Sequence, residues 1–249
     1  MRDIRNRRYV ARFASSDADI RAAQRLRHRV FIVQANAQPR PGGLDRDGYD
    51  ARCRHVLVQD APSGRLVCCF RLLQMRSGAE IERSYSAQYY DLSRLRNFPG
   101  PMVEVGRFCI CPDFHDPDIM RVAWASMTRF VDEQGIELMF GCSSFAGTDA
   151  RQYLDVFGIL NSQHLAPKCW QPRVKSTDVI RFSNPSLRQP QALAMAKMPP
   201  LLRSYLSMGG WVSDHAVLDY ELNTLHVFTG LEIKAIPPNR ARLLRAMAG

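Results

Sequence analysis

The apolar period of this chain switches between two residues and 3.6, and the order of those switches limits the folds open to it. Arg8-Tyr9-Val10-Ala11-Arg12-Phe13-Ala14 alternates and predicts a strand. Ser15, Ser16 and Asp17 offer capping side chains, and Ile20, Ala23, Leu26, Val30 and Phe31 then share one face, which predicts a helix over residues 17–33. Residues 34–50 form a long polar loop with Pro39, Pro41, Gly42, Gly43 and Gly48, of a length that is functional or disordered inside a compact domain. Residues 55–60 and 65–75 read as two strands joined by the turn Ala61-Pro62-Ser63-Gly64. A strand over 101–111 follows. Asp116-Pro117 opens a helix that Gly135 closes, and a buried strand over 136–142 precedes a helix over 149–160. This succession predicts an α/β fold with a mixed central sheet. Beyond Pro167 the pattern is irregular, with a short helix over 198–208 stopped by Gly209-Gly210 and a late strand over 225–233. No linker composition interrupts the chain. We therefore expect one domain over 1–249, with a core over about 1–165 and a C-terminal elaboration over about 166–249.

Charge narrows the partners. The formal net charge is +10, and it gathers at the ends. The first 50 residues hold 11 Arg and no Lys against 6 Asp and no Glu, and Lys234, Arg240, Arg242 and Arg245 follow Glu232 with no acid among them. Basic ends suit an acidic carrier protein or an anionic membrane surface, or form a solvated surface. Nucleic acid is disfavoured, because no helix-turn-helix, zinc-finger or ribonucleoprotein motif is readable. The arginine-rich start carries no apolar run of a signal peptide, and the longest stretch free of Asp, Glu, Lys and Arg, residues 156–167, is too short and polar to span a bilayer. A cytoplasmic protein, peripheral to the inner membrane at most, is expected. The seven cysteines show no C-x-x-C spacing and no accompanying histidine cluster, so we expect reduced thiols and no metal.

The order of elements is that of the GNAT acyltransferases, in which a thioester lies between two central strands. The pyrophosphate-cradling turn of that fold is missing: after the strand the chain reads Cys111-Pro112-Asp113-Phe114-His115-Asp116-Pro117-Asp118. Three acids there oppose a CoA pyrophosphate and favour a donor whose phosphate is held elsewhere, the phosphopantetheine of an acyl-carrier protein. Arg27 with Phe31, Asp47 with Asp50, Arg71-Leu72-Leu73, and Glu104 with Arg107-Phe108 together resemble the ordered motifs of the acyl-homoserine-lactone synthases over the first half of the chain. A longer resemblance is to the L-ornithine Nα-acyltransferases of ornithine-lipid biosynthesis. It runs through Leu26–Phe31, Asp50–His55, Phe70–Leu73, Glu104–Cys109, Phe140–Phe145, Pro199–Leu206, Gly209–Val212, Ala216–Asp219 and Leu222–Thr224. The resemblance implies a GNAT-like acyltransferase that moves a 3-hydroxyacyl group from acyl-carrier protein to the α-amine of L-ornithine, giving lyso-ornithine lipid. It needs no cofactor beyond the phosphopantetheine thioester. The alternatives are the same chemistry on another acceptor such as glutamine, a homoserine-lactone-type synthase, or a non-enzymatic basic membrane-surface protein.

The residues themselves admit two readings at most points. An α-amine is mostly protonated near neutral pH, so amide formation needs a base. Glu104, mid-strand in Val103-Glu104-Val105-Gly106, suits that role, and Gly106 leaves room beside it; a buried ion pair with Arg71 or Arg107 is the other reading. Arg71 and Arg107 fit a substrate carboxylate or the loop acids Asp47 and Asp50. Asp45, Asp47 and Asp50 fit the side-chain ammonium of ornithine or a solvated loop. Arg27, Phe31 and Phe108 fit the pantetheine or acyl entrance or a helix face packed on the sheet. Ser143 and Ser144 fit a hydrogen bond to the thioester carbonyl or the pantetheine arm. Met195, Met198, Leu201, Leu202, Leu206 and Met208 fit an acyl tunnel, a membrane-facing patch or core.

Overall fold

The computed structural model describes residues 3–6, 8–183 and 190–248. In chain order it contains β1 (Ile4–Arg5), β2 (Tyr9–Phe13), α1 (Asp17–Arg27), β3 (Arg54–Asp60), β4 (Leu66–Met75), β5 (Tyr90–Asp91), β6 (Met102–Ile110), α2 (Pro117–Gln134), β7 (Leu138–Ala146), α3 (Leu154–Gln163), β8 (Arg173–Val174), β9 (Val179–Arg181), α4 (Gln191–Ala196), α5 (Pro200–Ser207), β10 (Trp211–Asp219), β11 (Thr224–Glu232) and α6 (Pro238–Ala248). These elements form two compact units: residues 1–74, 103–136 and 237–249 make the first, and residues 75–102 and 137–236 the second.

In the first unit the strands run in the order β1, β2, β3, β4, β6. The pairs β1–β2, β2–β3 and β3–β4 are antiparallel. The β3–β4 register sets His55 opposite Arg71 and Leu57 opposite Cys69, so these four side chains share one face. On that face Ala23 and Leu26 of α1 pack with Leu57, Cys69, Cys109 and Cys111. Ser16 caps α1 by accepting from the Asp19 amide. The helix does not stop where α geometry does: His28–Gln34 continues it as a π-helix, a rare form frequent at functional sites. α2 begins as its sequence directs, with Asp116 as N-cap and Pro117 in the first turn, and ends at Gly135, whose φ of 59° only glycine adopts without cost. Phe13 and Phe130 meet edge to face at 6.2 Å, tying β2 to α2.

In the second unit the order is β7, β11, β10, β9, each neighbouring pair antiparallel. β7 runs past the expected residue 142 as far as Ala146 because Phe145 remains buried against Phe157 and Leu225. Strand β10 lies where the sequence pattern predicts no element. Ser213, Asp214 and His215 break its alternation, and its register with β11 shifts between Val212 and Ala216. Met198, Leu202 and Leu206 are core here, packed with Phe145, Phe157 and Val227, so this part of the apolar cluster is neither tunnel nor surface patch. Part of the irregular stretch after Pro167, residues 184–189, lies outside the described residues.

Candidate active site

The long loop between α1 and β3 is polar, yet its acids are not solvated. Arg27 is 0% exposed. Its Nε donates to Asp45 Oδ2 at 2.9 Å, its Nη1 to Asp50 Oδ1 at 2.7 Å, and its Nη2 to the Asp45 carbonyl. Arg71 on β4 donates through Nη1 to Asp47 at 2.5 Å and Asp50 at 2.8 Å, and through Nη2 to Asp47 at 3.0 Å. Arg107 on β6 reaches Asp45 at 3.0 Å and Asp47 at 3.4 Å. Arg40, from within the loop, adds a 2.6 Å bond to Asp45. Three aspartates are thus shared among four guanidiniums, with α1, β4 and β6 each contributing one. Removing one member of such a buried network leaves an uncompensated charge.

The same arrangement decides protonation. Burial would push the Asp45 and Asp47 carboxyls up, but Arg107 and Arg27 around Asp45, and Arg71 and Arg107 around Asp47, outweigh it and hold both below the usual carboxylate range. Asp50 is held down in the same way, against burial, by Arg27, Gln24 and Arg71. His55, whose Nε2 donates to the Asp50 carbonyl at 3.0 Å, is pushed below its ordinary value chiefly by burial.

Of the expected site residues, the structure brings Arg27, Asp45, Asp47, Asp50, Arg71 and Arg107 together. Arg71 and Arg107 pair with the loop acids, which is the loop-ordering alternative. Asp45 is completely enclosed and accepts from three guanidiniums, so its carboxylate is already engaged, and Arg27 is enclosed with it rather than lining an entrance. The Arg107 guanidinium lies 5.8 Å from the Phe31 ring centroid, and Phe108 stacks on Phe70 at 5.5 Å. Arg107 has a φ of 53°, a left-handed non-glycine residue inside a strand, a costly conformation that persists only where the surroundings hold it. Glu104 is 4% exposed on β6. It lies close enough to Cys53 to raise that thiol, which burial first and then Glu104, against Arg71, push up to about 11. A Cβ built on Gly106 meets nothing within 4 Å, so there is open space at Gly106, two residues along β6 from Glu104. Ser143 and Ser144 lie on β7 in the second unit. Ser143 is buried and its Oγ accepts from Thr229 Oγ1 at 2.9 Å; Ser144 is exposed.

Gln24, Arg40 and His55 join the network, although the sequence alone does not single them out as site residues. Gln24 precedes Arg27 by three residues and so shares its helical face, donating to Asp50 at 2.9 Å. His55 sits in strand alternation opposite Arg71. Those spacings are the signals that mark Gln24 and His55; Arg40, within the loop, has no such signal.

The acidic turn after β6 is occupied differently. Asp113 accepts from Arg29 at 2.6 and 2.9 Å and from Arg65 at 2.9 Å, and these guanidiniums hold its carboxyl down to about 2. Asp116 caps α2 and accepts from the Tyr9 hydroxyl at 2.9 Å, while Asp118 accepts from Arg121 at 2.6 Å.

Residues 26–125 match the family described as acetyltransferase (GNAT) domain. The fold is also that of the apo structure of TofI, with a TM-score of 0.50 at 17% identity over 96% of this chain and 98% of that one. These findings define a GNAT-fold acyltransferase. The chain is 33% identical to an L-ornithine N(alpha)-acyltransferase of Rhodobacter capsulatus, over 92% of this chain and 91% of that protein. It is 29% identical to another of Rhizobium meliloti, over 96% and 84%. The chain belongs to the L-ornithine N(alpha)-acyltransferase family and is an enzyme, so the non-enzymatic alternative falls.

Proposed function

We propose that this acyltransferase moves a 3-hydroxyacyl group from the phosphopantetheine thioester of an acyl-carrier protein to the α-amine of L-ornithine, giving lyso-ornithine lipid. L-ornithine is the acceptor in the names of its relatives. The observation that carries the chemistry is the buried Glu104 on β6, with open space at Gly106. In this reading Glu104 takes the proton from the α-ammonium. The freed amine attacks the thioester carbon, a C–N bond forms and the C–S bond breaks. Glu104 passes this first proton to solvent, takes the second from the nitrogen of the tetrahedral adduct and gives it to the departing thiolate, leaving neutral thiol, neutral amide and one proton released. Arg71 serves the substrate carboxylate: its Nε–H is buried without a hydrogen-bond partner, while its Nη atoms hold the loop. Among the loop acids Asp47 keeps the most exposed side chain, at 19%, and suits the δ-ammonium; Asp45 and Asp50 hold the loop in place. The acids of the turn after β6, and the basic groups that engage them, support a carrier-bound donor over CoA.

The test is the purified protein with 3-hydroxyacyl-carrier protein and a panel of amino acids, the products read by mass spectrometry. Transfer to L-ornithine alone is expected. Equal transfer to glutamine, or a lactone product, would replace the acceptor. Glu104→Gln should keep the melting transition and lower turnover at least ~100-fold; near-parental turnover would remove Glu104 as the base. Gly106→Ala should also keep the melting transition, because a Cβ there meets nothing within 4 Å, but should raise KM by filling substrate space.

A further inference from the structure

The C-terminal helix α6 presents a face that holds none of the residues assigned to the acyl transfer. Its inner side is fixed. Ala241, Leu244 and Ala248 are half-buried, Arg245 forms a forked pair with Asp132 at 3.0 and 3.1 Å, and Arg129 donates to the Ala248 carbonyl. With that side fixed, the 3.6-residue period turns Leu243 and Met247 outward together, one turn apart. Leu243 is 62% exposed, the most of any large apolar side chain among the described residues, and Met247 is 41% exposed. Arg242 and Arg240, both exposed, lie on either side of this ridge, and Ala246 fills the space beside it. No acid occurs between Pro238 and Ala248.

We propose that this face of α6 docks the enzyme on an anionic phospholipid surface, with Leu243 and Met247 entering the acyl boundary and Arg240 and Arg242 spreading to the lipid phosphates. An apolar ridge bounded by long cationic side chains is what an interfacial helix needs, because each guanidinium reaches the headgroups while its methylenes extend the apolar surface. A second copy is a poor occupant, since pairing two such faces brings four arginines together without a counter-charge. The docking is independent of which amino acid accepts the acyl group, and holds if the acceptor proves to be another.

The experiment is co-sedimentation of the full chain with vesicles of phosphatidylglycerol and phosphatidylcholine, and with phosphatidylcholine alone. Binding is expected on the anionic vesicles and much less on the neutral ones. Leu243→Gln with Met247→Gln should weaken it at least about tenfold. Arg240→Gln with Arg242→Gln should weaken it several-fold and flatten its dependence on salt. Both doubles should keep the parental melting transition and the parental rate with soluble carrier thioester in vesicle-free buffer. Absence of parental binding, or parental binding by both doubles, overturns the proposal. So does a raised KM for the carrier protein with vesicle binding unchanged, which would make the face a carrier dock. Loss of a dimer in sedimentation equilibrium would make it a self-association surface and overturn it equally.

Discussion

Two stretches of this chain carry three aspartates each within a few residues, and the fold treats them oppositely. In the loop before β3, Asp45, Asp47 and Asp50 are drawn in under Arg27, Arg71 and Arg107, with side chains 0%, 19% and 10% exposed. In the turn after β6, Asp113 meets Arg29 and Arg65 with every partner at least 41% exposed. The pairing chemistry is the same and the distances overlap. What differs is the solvent. Exposed pairs exchange water for one another at nearly equal free energy, whereas a buried guanidinium stripped of its carboxylate has no water to fall back on. The loop is therefore held as a structural part of the site, and the turn is a surface whose charges are locally neutralised.

The largest effect should follow from opening the buried side of this comparison. Arg27→Ala removes the fully enclosed guanidinium of the loop network and leaves Asp45 and Asp50 with less compensation; it should cost about 3–5 kcal/mol in denaturant unfolding. Arg29→Ala, its counterpart at the turn, should leave the unfolding midpoint where it is. Equal losses in the two variants would mean that burial is not what separates the two stretches.

That distinction is only partly legible in the sequence. The strand, helix and hairpin order is, because hydrophobic period, the Asp116 cap and the Gly135 stop are local signals. Arg27, the aspartates, Arg71 and Arg107 stand out as residues with chemistry, but their pairing spans 18 to 62 positions and depends on the β3–β4 register and on the left-handed turn at Arg107. Nothing local distinguishes a buried Asp45 from an exposed Asp113. Strand β10 is hidden by its polar bulge. Helix α6 is hidden because none of its residues is buried, so it lacks an apolar stripe of the expected width.

An acid titration should sharpen the contrast at intermediate size. Asp45, Asp47 and Asp50 titrate below the ordinary carboxylate value in the folded chain, so below about pH 4 the unfolded chain binds more protons. Their contribution is complete above that pH and is lost as pH falls through the folded values. His55, lowered by burial, adds a shallower loss of the same sign beginning below about pH 6.5. Asp113 is depressed too, but by exposed guanidiniums. Raising ionic strength should therefore erase its share of the slope and leave that of the loop aspartates. Urea midpoints measured against pH at low and high salt would show it; a slope abolished by salt throughout would place the loop acids in solvent.

The smallest effect concerns the donor. Asp113→Asn frees Arg29 and Arg65 at the turn where a CoA pyrophosphate would lie in this fold class. Because the acid sits in solvent, the fold should be indifferent to the change. The local potential should not be: two guanidiniums formerly matched to a carboxylate become available to phosphate. If the donor is carrier-bound as proposed, the expected outcome is a rise in kcat/KM with acyl-CoA of no more than about fivefold, short of the rate with the carrier thioester. A larger gain, enough to make the two donors equal, would mean that one surface carboxylate sets donor choice and that the carrier protein is selected by charge at this turn alone. No gain at all would place the discrimination away from the turn, in surfaces that touch the carrier protein itself.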